Sequence, residues 1–183
     1  MKKFICIIAT FIIVISYTTI SFAKEKKNAA KIDFSGLVID GPLLTKGGKL
    51  GLMPFKAGPL AEANDELDRV SANIIKGIKQ ALESQPSSLT LIDATEGKPE
   101  IVLEGYVQEL TKKGGIGTMM SGKRGTLVLE GNLWLVANGH QLLQFRVSKK
   151  FLIKKEDINE IASAMGIEIG RYILSKTNTK EEI

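Results

Sequence analysis

Between Asn64 and Ser84 apolar residues return every three or four positions, at Leu67, Val70, Ile74, Ile78 and Leu82, while Asp68, Lys76, Lys79 and Glu83 fill the other faces. That period predicts an amphipathic helix. Asn64 or Asp65 stands where a side-chain cap is wanted, and Gln85-Pro86 ends the helix because proline disfavours a helical residue before it. Gly77 costs about 1 kcal/mol against alanine there; either it admits a close neighbour or it is a tolerated defect. A second helix is expected from about Glu156 to Leu174, with Ile158, Ile161, Met165, Ile169, Tyr172 and Ile173 on its apolar side.

The rest of the pattern reads as strands. Gly36 to Ile39 is a short apolar run closed by Asp40-Gly41-Pro42, an edge strand or an ordered lead-in. Lys49 to Phe55 is a strand stopped at Pro54, which cannot donate to a ladder, and a break follows at Gly58-Pro59. A short strand at Leu89 to Asp93 precedes three longer ones, near Ile101 to Leu110, Thr126 to Val136 and His140 to Ile153.

The last hairpin can be registered from its alternation, because a slip of one residue exchanges the two faces. A two-residue Asn138-Gly139 turn would mix apolar and polar residues on both faces. A loop Ala137-Asn138-Gly139, with Gly139 left-handed in a bulge, instead pairs Leu133 with Leu143, Gly131 with Phe145 and Leu129 with Val147. The opposite face then carries Trp134, Asn132 and Gln144, with Glu130 across from Arg146. One apolar sheet face and two apolar helix stripes cover each other best when both helices lie on that face. The expectation is a two-layer α+β domain with a mixed, mostly antiparallel sheet of about five strands, in the order β-α-β-β-β-β-α.

The amino terminus changes the picture of where this domain works. Lys2 and Lys3, the apolar run Phe4 to Ile15 and Ser21-Phe22-Ala23 make up a signal peptide, with cleavage expected after Ala23; a retained anchor is the alternative. The expected organisation is a signal peptide at 1–23, a basic leader and lead-in at 24–48, an α/β envelope domain at 49–176 and a polar tail at 177–183. The only cysteine, Cys6, lies inside the apolar run, so the mature chain has no acylated cysteine and no disulfide. A periplasmic protein that is not a lipoprotein is expected. The net charge of +5 includes Lys2 and Lys3, and the modest excess left gives no argument for nucleic acid.

Candidate chemistry is sparse. Gly117 to Lys123 spells G-x-x-x-x-G-K, but Arg124 replaces the serine or threonine that would hold magnesium, and a strand follows instead of a helix. His140 is the sole histidine and lacks partners for a metal site or a triad. Asp65, Glu66 and Asp68 suit a helix amino terminus better than an acid pair. No catalytic residue, no metal site and no cofactor are expected, and the protein is read as not an enzyme.

Two surfaces are candidates for partners. The connection from Lys112 to Arg124 has glycines, an apolar centre at Ile116, Met119 and Met120, and Lys123 and Arg124 at its end. Such a tip either docks on a protein or touches an anionic membrane, unless it is a plain flexible connector. The polar sheet face is the second surface, where Tyr106 and Trp134 stand with Arg146 and its polar neighbours. An envelope protein partner is the leading expectation, and a small-ligand or glycan-binding protein using Trp134 and Tyr106 for stacking is the alternative.

Lys49 to Phe55, with its Pro54-Phe55 end, the helix that follows, and Pro99 to Val107 with its central Gly105 resemble the envelope group formed by the TolB amino-terminal domain, LpoB and CsgG. The resemblance spans about residues 49–174. It implies a mixed sheet with helices on one side and a non-enzymatic role in assembling or activating envelope machinery.

Overall fold

The computed structural model describes residues 31–94, 97–113, 124–153 and 155–178. In chain order the elements are β1 (Asp33–Val38), α1 (Gly41–Lys46), β2 (Gly48–Leu52), β3 (Lys56–Leu60), α2 (Asp65–Glu83), β4 (Leu89–Ile92), β5 (Ile101–Lys113), β6 (Arg124–Leu135), β7 (Gln141–Leu152) and α3 (Ile158–Thr177). The fold is α+β, as the alternation predicts, around a mixed sheet in the order β1-β7-β6-β5-β2-β4. β3 pairs with β5 beyond the end of β2. The pairs β2–β4, β2–β5 and β3–β5 are parallel, and the others are antiparallel.

The sheet has seven strands, more than the five expected. β3 runs through Gly58-Pro59, which reads as a break in sequence. Among the described residues only β5 pairs with it, so Pro59 sits in an edge strand, where a missing donor is tolerated. Gly41-Pro42 likewise opens a short helix instead of a turn, because proline fits the first helical turn and Asp40 accepts a hydrogen bond from Leu43 N–H.

α2 begins where the sequence places it, with Asn64 Oδ1 accepting from Glu66 N–H and Leu67 N–H at 3.0 Å. Its apolar stripe and that of α3 belong to one core with the inner face of the sheet, including Leu50, Leu103, Leu129 and Leu143. The hairpin pairs are those the alternation predicts, and Gly139 has φ of 68°. A further irregularity follows at Trp134↔Gln141, which leaves Leu142 over and buries both Leu142 and Leu143 completely.

Gly77 has a packing role. A Cβ there would lie 2.1 Å from the carbonyl oxygen of Ser163, and one on Gly166 would lie 2.2 Å from that of Ile74. α2 and α3 therefore meet backbone to backbone. On the sheet, a Cβ at Gly105 would strike the Phe55 ring, and Phe55 is held in turn by its N–H, which donates to Ser71 Oγ at 2.8 Å inside the core. Ser71→Ala strands that buried N–H, so a loss of about 1–3 kcal/mol is expected in urea unfolding. Tyr172 lies against Phe34 and over Gly36, and burial pushes its phenol pKa up.

Candidate binding face

With the helices on one side, the other side of the sheet carries the polar positions in ordered rows. One row runs Tyr106↔Glu130↔Arg146↔Ser35 across β5, β6, β7 and β1. The next runs Glu104↔Asn132↔Gln144↔Leu37, and Val102↔Trp134↔Gln141 follows. The period of two that buries Leu129, Gly131 and Leu133 turns Glu130, Asn132 and Trp134 the other way.

These side chains hold one another. Arg146 Nη1 donates to Glu130 Oε1, and Gln108 Nε2 donates to Glu130 Oε2 at 2.7 Å. Gln141 Nε2 donates to Asn132 Oδ1 at 2.5 Å and to Gln144 Oε1 at 3.4 Å. Tyr106 is 40 % exposed, whereas Trp134 is half-buried. On β1, which ends the strand order, Leu37 is 55 % exposed.

The structure thus gathers Tyr106, Trp134 and Arg146 on one side of one sheet. Arg124 is exposed but stands ten residues before Trp134 on β6, roughly 33 Å away at strand rise. Ile116, Met119, Met120 and Lys123 lie outside the described residues. Ser35 and Leu37 also join this side, through the pairing of β1 with β7. Their sequence neighbourhood carries no signal for it, because that partner is more than a hundred residues away.

His140 does find a partner: its Nε2 lies 3.0 Å from Asp40 Oδ2, while Asp40 Oδ1 caps α1. This joins the β6–β7 hairpin to the β1–α1 segment. Among the described residues no group of three or more histidine, cysteine, aspartate or glutamate side chains could hold a metal ion. No helix among them is long and apolar enough to cross a membrane.

No family model and no curated protein sequence matches the chain. Among solved structures it is similar to the PelC dodecamer from Paraburkholderia phytofirmans, at 13 % identity over 79 % of this chain and 98 % of that one, with a TM-score of 0.56. The chain shares the PelC fold. Weaker similarity extends to XCC0632 from Xanthomonas campestris, at 10 % identity over 76 % of this chain and 91 % of that one, with a TM-score of 0.49. For lipoprotein GNA1162 from Neisseria meningitidis the values are 12 %, 66 %, 96 % and 0.44. The PelC likeness bears on fold alone.

Proposed function

We propose that this chain is a non-enzymatic accessory protein of the bacterial envelope, exported by its signal peptide, cleaved after Ala23 and not lipid-anchored, which works by binding another protein of an assembly, secretion or transport system. The observation that carries the reading is the side of the sheet away from α2 and α3. Its polar groups are already cross-bonded around Glu130 and Asn132, and Tyr106 stays exposed beside them. Ordered polar groups beside an exposed aromatic lose little entropy on docking, which favours a specific contact.

Two supports come from outside the site. PelC, whose fold the chain shares, is a dodecamer, so the reading includes assembly of this chain with its own copies. The resemblance of Lys49 to Phe55 and Pro99 to Val107 to the TolB, LpoB and CsgG group points toward envelope machinery. In this reading the second contact is the 112–124 connection, through Met119 and Met120.

A photocrosslinking residue at position 106 or 119, in the full chain exported by living cells, tests it. A discrete adduct with one envelope protein or with a second copy is expected from at least one position. A smear no stronger than that from a residue placed at Lys79, on α2, would sink the reading.

A further inference from the structure

The side of the sheet away from α2 and α3 is not flat. Over β1, β7 and β6 it holds a groove of about 530 Å³, walled by Ser35, Leu37, Glu130, Asn132, Gln144 and Arg146, with Gly36 and Gly131 among its lining. That volume falls among clefts for small ligands, about 300–1,000 Å³. We propose that this groove binds a neutral, hydroxyl-rich oligosaccharide.

Charge comes first. Arg146 is paired with Glu130, and Asn132 and Gln144 are neutral, so the walls carry no net charge with which to hold a polyanion or a polycation. Hydrogen-bonding capacity comes second. Every sugar hydroxyl both donates and accepts, and a side-chain amide offers both functions from one plane. Glu130 adds acceptors and Arg146 adds a planar fork of donors.

Order is the third element, since Glu130 is held by Gln108 and Arg146, and Asn132 by Gln141, before any ligand arrives. Less freedom is then lost on binding. Finally, exposed Leu37 on β1 and Tyr106, in register with Glu130, offer apolar surface to the C–H faces of sugar rings. The groove shares Glu130, Asn132 and the neighbouring Tyr106 with the protein contact proposed above; crosslinking from position 106 reads that contact and sugar titration reads the groove, so failure of one is distinguishable from failure of the other.

Trp134 is the only tryptophan, and Gln141, its partner in register, donates to Asn132 in the groove wall. Its fluorescence therefore reports on that wall, with calorimetry as a readout independent of the ring. The full mature chain would be titrated with the tetramer of N-acetylglucosamine, with cellotetraose, and with polygalacturonate as an anionic probe.

Saturable binding of at least one neutral tetramer is expected, with no binding of polygalacturonate. Asn132→Ala and Arg146→Ala should each weaken it by about tenfold, the scale of one lost hydrogen bond. Thr90→Ala, on exposed β4 surface, should bind as the unaltered chain does. Thermal melts would confirm that each variant is folded. No heat and no fluorescence change with either tetramer up to about 10 mM, far above useful affinity, overturns the proposal. So does equal binding of the polyanion, or undiminished binding by both wall variants.

Discussion

Gly166→Val is expected to lower stability by about 3 kcal/mol or more, a large share of the roughly 5–15 kcal/mol that holds an ordinary domain together. Intrinsic propensity argues the other way, since valine is a better helix former than glycine. The loss must come from the helix contact. A Cβ on Gly166 would meet the Ile74 carbonyl oxygen at 2.2 Å, and Gly77 faces the Ser163 carbonyl oxygen in the reciprocal arrangement. Neither obstacle is a side chain that can turn aside. The helices can admit a larger group only by separating, and separation exposes Ile74, Ile78, Ile169 and Ile173, all fully buried. Urea unfolding of Gly166→Ala gives the sharper sign test, because propensity alone predicts a gain of about 1 kcal/mol and the contact predicts a loss. Arg171→Ala, on the exposed side of the same helix, should stay within about 0.5 kcal/mol.

Phe145→Ala should cost about 3–5 kcal/mol, with the upper half of that range expected. The ring is buried and lies beside Phe34, and both of its partners in register are glycines, Gly36 on β1 and Gly131 on β6. A methyl group on Gly131 would touch that ring at 2.5 Å. When the ring is removed, neither glycine has a side chain to move into the void, so the cavity stays open. A fall in the thermal midpoint relative to a peripheral change such as Thr90→Ala checks this. A cost under about 1 kcal/mol would mean that the sheet closes over the gap.

What sequence alone revealed follows from how local each cause is. The Asn64 cap, the end of α2 before Pro86 and the pairing of Leu133 with Leu143 depend on neighbours or on one short hairpin, and all three stand in the structure. Gly77 stayed ambiguous because its reason is the Ser163 carbonyl on another helix. Gly58-Pro59 reads as a break in sequence, and only the pairing of β3 with β5 shows that Pro59 sits in an edge strand, where proline is tolerated. The same division holds for the binding face. Glu130, Asn132, Trp134, Gln144 and Arg146 follow from alternation along two paired strands, whereas Ser35 and Leu37 arrive with β1.

The pairing of β1 with β7 also sets an order of events. Asp33 precedes Ser148, its neighbour in the finished sheet, by more than a hundred residues, so the first strand has no mate until β7 is in place. Closing so long a loop is slow compared with forming a helix or a hairpin. The last strand of the chain is thus the one that brings the first strand home, and the margin of the sheet is completed only once that long loop has closed.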